Sequence, residues 1–146
     1  MRRMAAAVVV AGVILTGCGA TARGSGGYQR EAGAYAKAAG SAAATGAMAA
    51  KLWTYERGFS PYLDVLATGA EDDLSVTQGS FDAIQPPLPA DDATRDELDA
   101  LLTEASDALS RLRIAIRRAD NAAITAAGRD AAVAATRLAD FSASRP

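Results

Sequence analysis

The chain has 146 residues, of which 15 are basic and 17 acidic, with no histidine and one cysteine, Cys18. That length supplies one domain with a single core. Without histidine or a second thiol, the usual zinc, copper and haem ligands, the Ser-His-Asp relay and any internal disulfide are excluded, and a net negative chain is a poor partner for nucleic acid.

At the start, Arg2 and Arg3 precede an uncharged apolar run from Met4 to Leu15, and Thr16-Gly17 leads into Cys18. A short basic segment, an apolar middle and small residues before a cut site form the three-part plan of a secretory signal. As a helix, Met4 to Gly17 would span only about 21 Å, short of the roughly 30 Å hydrocarbon core, so a cleaved signal is the better reading than a permanent span. Leu15-Thr16-Gly17-Cys18 resembles the lipobox of bacterial lipoproteins. The resemblance implies cleavage between Gly17 and Cys18, a diacylglyceryl group on the Cys18 thiol, fatty chains of the palmitate type, and residence on the extracytoplasmic face of the cell membrane. One acyl chain holds a protein only marginally, whereas two hold it stably. Residues 1–17 are thus expected to be removed. Taking Arg2 and Arg3 from the 15 basic residues leaves 13 against 17 acidic ones, a net of −4 for the mature chain.

Residues 18–27 read as the lipidated cysteine and a glycine-rich tether, with a root-mean-square reach of roughly 15–18 Å for Gly19 to Gly27. Folded structure is expected over residues 28–143, with 144–146 frayed. Tyr28, Ala32, Tyr35, Ala39, Ala42, Gly46, Ala49 and Trp53 recur at steps of three and four, the mark of one helical face. Gly33, Gly40 and Gly46 each cost up to about 1 kcal/mol relative to alanine, so this helix should be best formed from Gly46 onward.

Gly58-Phe59-Ser60-Pro61 reads as a helix end followed by a new cap and first turn. The second helix carries Leu63, Leu66, Ala70, Leu74, Thr77, Phe81 and Ile84, and Pro86-Pro87 must end it. Gly69 and Gly79 are points where it could kink or split. Asp91 or Asp92 can cap the third helix, whose stripe is Leu98, Leu101, Leu102, Ala105, Leu109, Leu112, Ile116 and Ala119. Its acidic start and arginine-rich end complement the helix dipole. Asp120-Asn121 favours a turn before a last helix with Ile124, Ala127, Ala131, Ala134, Leu138 and Phe141, although no glycine or proline reinforces the break and one long bent helix is the alternative.

Four helical segments with short turns and no strand-like alternation predict an all-α, antiparallel up-and-down four-helix bundle. Gly58 to Asp107 holds twelve acidic residues against Arg95 alone, while the flanking segments are net basic, so opposite blocks can face each other. Across about residues 60–141 the layout also looks like small α-helical lipoproteins of high-GC Gram-positive bacteria, a resemblance that brings no activity with it.

Four candidate sites stand out. Glu71-Asp72-Asp73 reads as a calcium ligand set or a solvated helix face. Asp91-Asp92 with Asp96-Glu97 reads as paired carboxylates or as helix capping. Arg111, Arg113, Arg117 and Arg118 could meet anionic headgroups or pair with the acidic block. Tyr28, Tyr35, Trp53, Tyr55 and Tyr62 could line a ligand pocket at one end of the bundle or simply fill an alanine-rich core. No catalytic residue, metal site or cofactor is expected. The expected function is a non-enzymatic interaction or scaffold module of the cell envelope with an envelope protein as partner; the alternative is a carrier or sensor of an apolar or aromatic ligand.

Overall fold

A computed structural model describes residues 24–55 and 60–145. They form α1 (Ser25–Tyr55), α2 (Ser60–Asp82), a 3-10 turn (Pro89–Asp91), α3 (Asp92–Arg117) and α4 (Asn121–Ala143), and no strand occurs among the described residues. The signal, the lipobox with Gly17 and Cys18, and Gly58-Phe59 lie outside the described residues.

Successive helices run antiparallel in an all-α four-helix bundle. Tyr35 near the start of α1 packs against Phe81 at the end of α2, the rings tilted with centroids 5.8 Å apart. Arg117 at the end of α3 reaches Asp64 at the start of α2, 3.3 Å away. α1 touches all three other helices, whereas α2 and α4 make no contact. The cross-section is therefore a flattened square with α1 and α3 on its short diagonal.

Residue size explains that flattening. The buried face of α1 is almost entirely alanine and glycine, while α3 contributes Leu98, Leu101, Leu102, Leu109, Leu112 and Ile116. Small residues let helix axes approach and leucines fill the space thus left. A Cβ on Gly46 would stand 2.2 Å from Leu109 Cδ2, and one on Gly128 would stand 2.4 Å from Ala50 Cβ. These glycines, costly to an isolated helix, are what allow α1 to lie against α3 and α4. Accordingly α1 is unbroken from Ser25, three residues earlier than the periodicity indicates, and Gly33 and Gly40 do not weaken it visibly.

α2 is likewise neither kinked into two helices nor split at Gly69 or Gly79, because Leu63, Ala67, Ala70, Leu74 and Phe81 are buried along its whole length. It ends four residues before Pro86. Arg95 of α3 closes that end, donating to the carbonyls of Ile84 and Asp82 and lying over the Phe81 ring at 5.5 Å. Side-chain donors from another helix can satisfy terminal carbonyls that no local residue caps.

The break between α3 and α4 is real and uses an unexpected residue. Ala119 takes a left-handed conformation with φ 52. The Ala119 amide donates to the Ile116 carbonyl and the Asp120 amide to the Ala115 carbonyl, both at 3.0 Å, the paired bonds of a Schellman ending. Asp120 then caps α4 by accepting from the Ala123 amide at 3.0 Å. Ala119, assigned above to the core stripe, is exposed as a result. At the other terminus Arg145 is held rather than frayed, through bonds described next.

Candidate functional site

At the end of the bundle where α1 begins, the first turns of α1 and α3 converge on Asp91. Its side chain does not cap α3. Asp91 is instead 1% exposed, and its Oδ1 accepts from Ser25 Oγ at 2.6 Å and Gln29 Nε2 at 2.9 Å. Among the described residues Oδ2 has no hydrogen-bond partner and no cation pairs with the carboxylate. Two helix N-termini, each carrying roughly half a positive charge, face this one negative group and offset part of its desolvation.

Gln29 extends the network, donating to Thr94 Oγ1 at 2.9 Å and accepting from Arg145 Nε at 3.1 Å. Arg145 also donates to Glu97 at 2.7 Å and lies 3.6 Å over the Phe141 ring. Ser25, Gln29 and Arg145 thereby join the first turn of α1 to the last residues of the chain. Helix periodicity gives no weight to polar residues at an element's end, which is why this cluster was missed.

The expected carboxylate set does not assemble: Asp91 turns toward α1, Glu97 toward Arg145, and Asp92 and Asp96 are exposed. Of the run Glu71-Asp72-Asp73, Glu71 pairs with Arg113 and the other two are exposed. No three His, Cys, Asp or Glu residues stand together to hold a metal ion among the described residues. Burial pushes the Asp99 carboxyl above its ordinary value, with nearby Arg95 opposing that shift and the like charges of Asp82 and Asp96 adding to it. Burial likewise raises the Tyr28 phenol, with nearby Arg95 opposing that shift.

The arginines of α3 mostly pair within the bundle: Arg111 with Asp130 at 3.2 Å, Arg113 with Glu71, and Arg117 with Asp64. They lie at the opposite end from Ser25. Exposed pairs of this kind contribute about 0–1 kcal/mol each.

The five aromatics do not form one pocket. Tyr28 and Tyr35 pack on Phe81 at one end. Trp53, 25 residues further along α1 and so about 38 Å away at 1.5 Å per residue, donates through Nε1 to Asn121 Oδ1 at 2.7 Å. Tyr55 and Tyr62 are exposed. The aromatics sit at the helix ends because the alanine-rich middle has room for no larger side chain.

Open space occurs instead along the α1/α4 seam. One stretch of about 470 Å³ runs over Ala47, Met48, Gly128 and Ala132, and a second of about 630 Å³ runs over Gly40, Ser41 and Ala139. They share Ala44 and Ala135 and so form one shallow, largely apolar groove. Lys37, Lys51 and Arg129 lie along it, and no acidic residue does among the described residues. No helix among the described residues is long and apolar enough to cross a membrane. Comparison with protein-family models, with curated proteins and with solved structures finds no match.

Proposed function

We propose that this chain is a lipoprotein of the bacterial cell envelope, anchored through Cys18 on the extracytoplasmic face of the membrane and acting as a non-enzymatic interaction module. The observation that carries the reading is Leu15-Thr16-Gly17-Cys18 at the end of a signal-like segment, followed seven residues later by the start of α1. Seven residue steps span at most about 25 Å even when fully extended, so the end of the bundle holding Asp91 and Arg145 would stay beside the headgroups. The arginine-rich end of α3 would point away from them, which favours internal pairing over headgroup binding as the role of those residues. The five aromatics share no pocket, which favours this reading over a carrier or sensor that would hold its ligand among them.

The test is phase partitioning of the full chain expressed in a bacterium with lipoprotein processing. Wild type should enter the detergent phase and Cys18→Ser the aqueous phase. Wild type found in the aqueous phase would overturn the anchoring.

A further inference from the structure

We propose that the outer face of α2 docks into the α1/α4 groove of a second copy of this chain. α2 carries two stripes. One is buried in the bundle. The other, Tyr62, Val65, Gly69, Asp72, Val76 and Gly79, recurs at alternating steps of three and four on the opposite side, the spacing of a helix-packing seam. Tyr62 is 57% exposed, Val65 68% and Val76 70%, so three large apolar side chains of this stripe stand in solvent.

The glycines strengthen the case. Gly46 and Gly128 each face a neighbour that a Cβ would strike, whereas a Cβ at Gly69 or Gly79 would meet nothing within 4 Å. Two glycines in an exposed helix interior weaken that helix with no internal return. Between valines on one face they clear the surface for another helix to approach closely.

Charge selects the occupant. α2 has five acidic residues and no basic one. Asp64, Glu71 and Asp82 are paired inside the molecule, while Asp72, within the outer stripe, and Asp73 beside it make no ion pair among the described residues. The α1/α4 groove is the complement: an apolar floor, Lys37, Lys51 and Arg129 along it, and no ion pair to any of the three among the described residues. From Lys37 to Thr54 the groove is about 26 Å long, and from Tyr62 to Gly79 the stripe is also about 26 Å at 1.5 Å per residue.

The two surfaces lie on different sides of the bundle, since α2 does not touch α4. Their union is therefore head-to-tail, and repeating it gives a row rather than a closed pair. Sideways translation keeps every α1 pointing the same way, as copies tethered to one membrane must be. This names the partner of the interaction module proposed above, and rests on that reading only for the shared orientation.

The test is disulfide trapping in the full-length chain, in membranes and after detergent extraction. Val76→Cys combined in turn with Ser41→Cys, Ala44→Cys or Met48→Cys is expected to give a ladder of dimers, trimers and higher species on mild oxidation for at least one pair. Val76→Cys alone should give none. Asp72→Lys with Asp73→Lys should reduce the ladder at least tenfold, and adding Lys37→Glu, the groove cation nearest their level under sideways translation, should restore it; circular dichroism checks that each variant is folded. No ladder from any pair, a dimer from Val76→Cys alone, or crosslinks only to another protein would overturn the proposal. A ladder from a chain that partitions into water would overturn the anchoring alone, and a detergent-phase chain without a ladder would overturn the docking alone.

Discussion

Adding one methyl group at Gly128 and one at Gly69 is expected to move stability in opposite directions. At Gly128 the new Cβ would stand 2.4 Å from Ala50 Cβ, an atom fixed to the α1 backbone that no rotamer change can move. Carbon atoms rest at about 3.5–4.0 Å, so α1 and α4 must separate by more than about 1 Å locally. Overpacking against an atom that cannot turn away falls in the upper part of the usual range, about 2–3 kcal/mol, and the better helix propensity of alanine returns about 1 kcal/mol, leaving a net loss of about 1–2 kcal/mol. At Gly69 nothing lies within 4 Å, so the propensity gain of about 0.5–1 kcal/mol stands alone. For a domain of this size each kcal/mol shifts the midpoint by about 3–6 °C. Thermal unfolding followed by helical circular dichroism, with all variants in the same detergent and diluted until each is monomeric, reads both. A Gly128→Ala midpoint at or above that of wild type, or a lowered Gly69→Ala midpoint, would refute the packing argument.

Three further outcomes follow from single residues. Ala119→Gly should raise the unfolding midpoint by about 0.5–1 kcal/mol equivalent, since the left-handed conformation that alanine adopts there is free for glycine; a lowered midpoint would contradict the Schellman ending. Asp91→Ala strips Ser25 of its acceptor and Gln29 of one, and should cost about 1–3 kcal/mol with faster amide exchange in the first turn of α1. Unchanged exchange there would show that the network does not hold α1 to α3. Asp99→Asn should raise the midpoint at pH 7. Burial raises the folded-state pKa of Asp99 above its ordinary 3.8, so the folded state holds this proton more tightly than the unfolded chain, and stability falls as pH climbs from 3.8 through the raised value. The advantage of the variant should therefore vanish in acid below 3.8; an advantage independent of pH would contradict the burial argument.

The four helices were legible because their buried stripes are long. Leu98 through Ile116 and Ile124 through Phe141 keep one face over several turns, and burial there agrees with the pattern at nearly every position. Helix ends were less so. Ser25 to Gly27 reads as linker by composition, yet the Ser25 bond to Asp91 draws that segment into α1. Ala119 has no propensity for the conformation that ends α3, and only the tertiary pull of Leu112 and Ile116 on one side and Ile124 on the other imposes it. Glycine misleads as a helix breaker: at Gly33 and Gly40 it predicts weakness, whereas in the bundle those positions lie against Arg145, just past the end of α4, and Leu138 within it. Of the aromatics, spacing along α1 alone places Tyr28 and Trp53 too far apart to share a pocket. The outer stripe of α2 is also present in the sequence, at the same three-and-four spacing as the inner one, and the larger apolar side chains of Leu63, Leu74 and Phe81, all buried in the bundle, mark which of the two faces the core.

Intact-mass spectrometry of the chain isolated from membranes tests the anchoring most directly. The account predicts a polypeptide that begins at Cys18 and carries the added mass of a diacylglyceryl group, with or without a further acyl chain. A chain still bearing Met1 to Gly17, or one beginning at an unmodified Cys18, would contradict it.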